Sequence, residues 1–358
     1  MCPRRSLDAG VDDPLSFRYS VGRGVGPASA DAQAWLGGIA QQGAVRAVAD
    51  SIMVHRAERG GRAAIGVLGD VSLAAYEQGR VKPHEKTVTS NEQKMVGYML
   101  LTRMFGNPVV LANRSNPELA SRLEAHSQTT PDVDFEALDG SRHQLWIVDG
   151  QAATDLTALM VGDLYIADGH HRIEAARELA NAEGRSDAWF PAGVYAQDQF
   201  DVWAFARGVR DAPLSGDALI ARLADSFDLV EIEDALPRPT APRTFGARIA
   251  GRSFVLRIPE GMVGGDAHDL LDVNVLQQLI LEPLLGIEDP RRDPRLDTVA
   301  DSDDSVHDPD QYDAWFLPYP TPVESVMAVA DMASTMPPKS TYFLPKLPGG
   351  IVIRPLDE

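Results

Sequence analysis

The chain has 358 residues, of which 44% are apolar and 24% charged, so it holds enough apolar material for a real core and too little charge for wholesale disorder. With 52 acidic against 33 basic side chains the formal net charge is −19, which excludes nonspecific binding to nucleic acid or to an anionic membrane and leaves room only for a local basic pocket. One cysteine, Cys2, excludes an internal disulfide and a cysteine metal cage.

MCPRRSLDAGVDDP lacks an apolar stretch, so no signal peptide is expected. The segment DAQAWLGGIAQQGAVRAVAD (31–50) reads as a helix. SIMVHRAE (51–58) and AAIGVLGDV (63–71) read as two strands of a hairpin around Gly60-Gly61. A short helix over 72–80 and the polar loop KPHEKT (82–87) follow. SNEQKMVGYMLLTRMF (90–105) has apolar residues at helical spacing, with Ser90 as candidate N-cap. Strands are expected at 107–113, 143–149 and 164–168, and helices near 117–126, 151–160 and 172–184. The stretch 189–210 suggests paired strands and 215–226 a helix. Residues 235–247, with three prolines, read as a linker, and 252–260 as a strand. DLLDVNVLQQLILEPLLG (269–286) is a strong helix pattern, too interrupted by Gln and Glu to span a bilayer. Residues 288–312 read as a polar loop in which Arg291, Arg292 and Arg295 pair with neighbouring aspartates. A helix over 322–334 and a closing hairpin over 340–356 complete the chain. The expectation is an α+β protein of mixed sheets with packed helices, soluble and cytoplasmic, in three regions: 1–80, 81–188 and 189–358.

The densest chemistry lies at LYIADGHHRIEAAR (164–177). A buried strand runs into Asp168-Gly169-His170-His171-Arg172 and straight on into an amphipathic helix. Glycine permits a tight turn and close approach of a ligand. A helix N-terminus offers unsatisfied N–H groups that suit an anion, and arginine grips phosphate in a bidentate way. The plainer reading makes Asp168 an N-cap and Arg172 a solvated side chain; five consecutive polar or glycine residues between strand and helix favour the site. A metal reading of the adjacent histidines is weaker, because a third ligand has to come from afar.

His84-Glu85-Lys86-Thr87 is an acid–base cluster able to supply a general base or help hold a metal, or else a solvated loop. Lys339-Ser340-Thr341 suits phosphate chemically, with Lys346 close behind, but the glycines of a P-loop are missing. A dinucleotide fingerprint and a serine-hydrolase elbow are also missing. The glycines at 22, 24 and 26 lack the context of the former.

IADGHHRIEAA, KPHEKT, DVNVLQQLILEPLLGI and MPPKSTYFLPKLPGGIVIRPL together resemble the bacterial and archaeal domain-of-unknown-function family 1015, from about residue 14 onward and in the same order. Members of that family usually begin with a further segment containing Pro-Pro-Tyr-Asp, absent here. More distantly, the order from KPHEKT to DGHHRIEAA is similar to the ParB/sulfiredoxin superfamily and its free serine kinases. That resemblance implies a ParB/sulfiredoxin-like subdomain. It also implies a phosphotransferase moving phosphate from ATP or ADP, with Mg²⁺, to a small hydroxyl-bearing substrate such as serine. By position, Glu85 would be the base, and Gly169, His170, His171 and Arg172 would hold nucleotide phosphate. Asp168 would orient the hydroxyl or bind Mg²⁺. His84, Lys339, Ser340 and Thr341 are further substrate or phosphate candidates. The alternatives are a nucleotide-binding regulator without catalysis and a metal-dependent hydrolase.

Overall fold

The structure is a computed structural model that describes residues 38, 46–85, 87, 89–233, 237–301, 308–337 and 339–356, with backbone alone for 89–91. Most of the helix expected over 31–50, the glycines at 22–26, and Lys86 lie outside the described residues. The chain divides into two compact units, Met1–Phe200 with Pro345–Glu358, and Asp201–Leu344.

In the first unit β1 (Ser51–Arg59) and β2 (Arg62–Ser72) form the expected hairpin. Both turn glycines, Gly60 and Gly61, sit at positive φ, the backbone that a two-residue hairpin turn requires. Helix α1 (Leu73–Glu77) leads to β3 (Val81–Lys82). Helix α2 (Thr89–Thr102) begins one residue before Ser90, which therefore lies inside the helix and not at its cap. Next come β4 (Met104–Phe105), β5 (Val109–Asn113) and α3 (Pro117–Ser127), followed by β6 (Val133–Glu136), β7 (Arg142–Asp149) and α4 (Gly150–Ala158). The run ends with β8 (Leu164–Asp168), α5 (His170–Ala182) and β9 (Trp189–Ala196). Eight of these strands make one mixed sheet in the order β3-β8-β5-β9-β2-β1-β7-β6, with β3/β8 and β5/β9 parallel.

Strand alternation decides what each face covers. Val54, Val67, Trp146 and Val148 pack under α3 and α4 through Leu119, Leu123, Ala153 and Leu156. Ile173, Ala176 and Leu179 of α5 join Val109, Leu111, Ile166 and Phe190 in a second cluster. Met53, Leu68 and Leu145, on the side of their strands opposite Val54, Val67 and Trp146, are covered by Leu347, Ile351 and Val352 of the returning C-terminal segment.

Beside that last cluster runs a buried polar chain. Tyr195 Oη lies 2.5 Å from His55 Nδ1, His55 Nε2 lies 3.0 Å from His143 Nδ1, and His143 Nε2 lies 2.8 Å from Ser141 Oγ. Ser141 Oγ donates to Asp139 over 2.5 Å. An ionised carboxylate can only accept, so Asp139 fixes the direction of every bond. Ser141 gives its proton to Asp139 and receives from His143, which receives from His55, which receives from Tyr195. Gly66 makes this possible: it pairs with both His55 and Tyr195 across the sheet, and a Cβ there would collide with the Tyr195 ring.

The second unit contains β10 (Asp201–Trp203), β11 (Phe205–Val209), α6 (Gly216–Ser226), β12 (Asp228–Ile232), β13 (Thr244–Ile249) and β14 (Arg252–Arg257). Helix α7 runs from Asp272 to Leu285 through a π-helical turn over Gln277–Leu281. β15 (Leu296–Ala300), β16 (Ala314–Pro318), α8 (Val323–Asp331) and β17 (Tyr342–Leu344) follow. Six strands form an antiparallel sheet, β12-β14-β13-β16-β11-β15, against which α6 and α7 bury Leu219, Leu223, Leu276, Ile280 and Leu285. Arg295 pairs with Asp293 at 2.6 Å, in keeping with a self-paired loop, but β15 replaces the loop expected over its later part.

Two strand pairings expected from the sequence are corrected. The strands of 189–210 do not pair with one another: β9 pairs with β2 and β5, and β11 with β15 and β16. Residues 340–356 are not a hairpin either. β17 pairs with β10, while β18 (Arg354–Pro355) pairs with β4. In both stretches the chain crosses from one unit to the other between adjacent strands, a long-range choice that local patterning does not encode.

Candidate functional site

The site is built where β8 ends. Tyr165, Ile166 and Ala167 are buried, and β8 carries one extra residue opposite β5 between Ile166 and Asp168. Such a bulge re-aims the side chains beyond it. Gly169 then turns the chain at φ +110°, and α5 begins at His170 with no side chain capping its N-terminus. The parallel pairing of β3 with β8, Lys82 opposite Tyr165, carries residues 83–85 toward the same turn.

His84 and His170 meet there. The His84 amide donates to His170 Nε2 over 3.3 Å, and the rings stand edge to face with centroids 4.6 Å apart. Glu85 brings a carboxylate oxygen within 4.8 Å of a ring nitrogen of each. Burial pulls the His84 pKa down to about 4, opposed by its hydrogen bond to the Ile166 backbone. Burial likewise holds His170 well below the ordinary histidine value, helped by His84 and opposed by Asp168. Both rings are therefore neutral at pH 7.

Asp168 faces two cations. Oδ1 accepts from Lys346 Nζ at 2.8 Å, and Oδ2 accepts from Arg172. Burial alone would raise this carboxyl, but Lys346 and then Arg172 outweigh it and hold it below the usual range. Two cations thus converge on one carboxylate at the turn. Arg172 also donates to the carbonyls of Asn107 (3.2 Å) and Pro108, and its guanidinium lies so close over Gly169 that a Cβ there would sit about 3.1 Å from it. The arginine is thus committed largely to holding the turn.

His171 follows half-buried on the first turn of α5. Lys339, Ser340 and Thr341 belong to the second unit. There the Lys339 carbonyl accepts from buried Arg207 at 3.2 Å and Ser340 Oγ donates to the Pro337 carbonyl at 2.6 Å, so the serine hydroxyl serves its own loop. Lys346, which follows that trio in sequence, lies in the first unit beside Asp168. Its role had no local signal, because its partner is separated from it by the whole second unit.

Fold and site define a mixed α/β protein of packed sheets and helices, whose central strand–turn–helix gathers carboxylate, imidazole and cationic groups. The chain belongs to the family described as protein of unknown function DUF1015, whose model matches residues 28–278. No curated protein matches the chain. Among solved structures it is similar to a conserved hypothetical protein from Pyrococcus furiosus, at 15% identity over 79% of this chain and 93% of that one, with a TM-score of 0.35. It is similar to a free serine kinase in complex with AMP at 16% identity, over 77% and 87%, with a TM-score of 0.36. It is similar to C-terminally truncated SbnI from Staphylococcus aureus at 12% identity, over 79% and 85%, with a TM-score of 0.43. Superpositions this loose transfer no residue roles. Among the described residues no helix is long and apolar enough to cross a membrane.

Proposed function

We propose that the turn at 168–172 is the phosphate site of a small-molecule phosphotransferase within a ParB/sulfiredoxin-like subdomain, using ATP or ADP as donor. The observation that carries this reading is the convergence of Glu85 with His170 at the uncapped N-terminus of α5, next to the two cations Lys346 and Arg172 held on Asp168. Phosphoryl transfer needs mainly positioning and charge neutralisation. The α5 amides and Lys346 neutralise phosphate oxygens, Gly169 lets the backbone approach, and Asp168 holds Lys346 in place. Arg172 stiffens the turn and His171 flanks it. Glu85 takes the proton of the substrate hydroxyl as that oxygen bonds to the terminal phosphorus and the bond to the bridging oxygen breaks. The proton resides on Glu85 and the shortened nucleotide leaves. Neutral His84 and His170 flank the carboxylate without forming an ion pair with it.

Mg²⁺ finds a poor donor set among these side chains, since both Asp168 oxygens are engaged by cations and the Glu85 carboxylate is grouped with two imidazoles, whereas Mg²⁺ prefers an all-oxygen shell. No step is routed through it. Lys339, Ser340 and Thr341 have no assigned part in this reading.

The test is incubation with ATP or ADP and a panel of hydroxyl compounds, serine first because the sequence resemblance implies it, followed by phosphorus NMR. A phosphomonoester is expected, and Glu85→Gln is expected to slow its formation by about 10²–10⁴-fold with nucleotide binding retained. Nucleotide binding without any product would favour the non-catalytic regulator. An unimpaired Glu85→Gln enzyme would remove the base from the mechanism.

A further inference from the structure

We propose that His84, Glu85 and His170 form a binding site for a single divalent transition-metal ion, Zn²⁺ by preference, and that its occupancy switches the phosphotransferase off. Three donor atoms, one from each residue, lie within 4.8 Å of one another. Donors on a tetrahedral Zn²⁺ at about 2.1 Å lie about 3.4 Å apart, so the set closes on an ion when each donor atom moves inward by under about an ångström. His84 and His170 are 3% and 8% exposed, fixed by the sheet and by the first turn of α5.

The tautomers suit ligation. The His84 ring is hydrogen-bonded to the Ile166 backbone, the second-shell support that orients a metal-binding imidazole and leaves its other nitrogen as the lone-pair donor. His170 Nε2 already acts as an acceptor, toward the His84 amide at 3.3 Å, and an ion there displaces only that long contact. Two neutral imidazoles and one carboxylate are the donor set of catalytic and regulatory Zn²⁺ sites and a poor one for Mg²⁺ or Ca²⁺. The other group of this kind among the described residues, Asp266, His268 and Asp269, includes an exposed aspartate and lies in the second unit.

The regulatory half rests on the phosphotransferase reading. A metal bound to Glu85 occupies the lone pair that would accept the hydroxyl proton, so the same carboxylate cannot serve as base. The binding half stands without that reading.

The experiment titrates metal-free, full-length protein with Co²⁺, read by visible absorption, and then displaces it with Zn²⁺, with no nucleotide present. His268→Ala serves as the background, to remove the exposed group. Expected are one equivalent of Co²⁺ with the intense bands of a low-coordinate site, bleached by Zn²⁺. Glu85→Gln and His170→Asn should each weaken binding by about tenfold or more, since even second-shell changes cost 10–100-fold. Far-ultraviolet circular dichroism confirms that each variant is folded. Failure to bind Co²⁺, or binding that Glu85→Gln leaves unchanged, overturns the site. Binding that excludes Mg²⁺ but leaves phosphoryl transfer unaffected overturns the switch. Binding in a protein that transfers no phosphate leaves the metal site standing and sinks the kinase.

Discussion

Arg172 is bound by acceptors on Asn107, Pro108 and Asp168, so its first role is to hold the turn together. Arg172→Ala is therefore expected to lower stability by about 2–3 kcal/mol, read as a shift in the urea midpoint. Arg172→Lys should restore less than half of that, because an ammonium cannot reach three planar acceptors at once. An alanine variant as stable as the parent would return the guanidinium to ligand binding alone. The buried chain from Tyr195 to Asp139 makes a second residue-scale prediction. Burial depresses His55, with His143 adding to it, and burial depresses His143 against the opposing pull of Asp139. Each ring must offer a lone pair at Nδ1, so protonation of either breaks the chain. In the unfolded chain both titrate near 6.5. The unfolded state then binds more protons below that value, and stability should fall as the pH drops from about 6.5 toward the lower folded-state values. Urea midpoints between pH 7.5 and 5 check this. His143→Gln should flatten the slope, and an unchanged slope would show that the chain does not carry it.

At the scale of elements, α3 is the clearest case of a helix set by its cap. The Asn116 side chain accepts from the amides of Glu118 at 3.0 Å and Leu119 at 3.4 Å, while its own amide donates to the Leu159 carbonyl. Asn116→Ala should cost about 1 kcal/mol, measured by thermal or urea unfolding, with Asn116→Asp recovering the cap but not the bond to Leu159. Elements of this kind were legible in the sequence. Asn116-Pro117 announces a helix start, Gly60-Gly61 a hairpin, and the change from the apolar run Tyr165–Ala167 to the spacing of Ile173, Ala176 and Leu179 marks the strand–turn–helix at 168–172. Strand partners were not legible. Tyr342–Leu344 and Arg354–Pro355 flank Gly349-Gly350 and look like a hairpin, yet each finds its partner far away in the chain. The buried chain was invisible for the same reason. His55, His143 and Tyr195 come from three strands, and only the sheet order brings them together. His84 and His170 were each marked as candidates, but nothing local tied one to the other.

At the scale of the whole molecule, the first unit is closed by residues that follow the second. Leu347, Ile351 and Val352 cover Met53, Leu68 and Leu145, and Lys346 completes the charge balance at Asp168. Ile351 is 4% exposed, and Ile351→Ala should cost about 2–5 kcal/mol, felt in the protection of β1, β2 and β7 amides in hydrogen exchange. Unchanged protection there would mean that the segment adds little to the core beneath it. In a chain of net charge −19, any attraction of this turn for an anion depends on Lys346 and Arg172. Lys346 is also the last member of the site to be synthesised. While the ribosome is still adding the second unit, Asp168 has only Arg172 to oppose the effect of burial on its carboxyl. The charges around this turn are therefore complete only after the second unit has been translated.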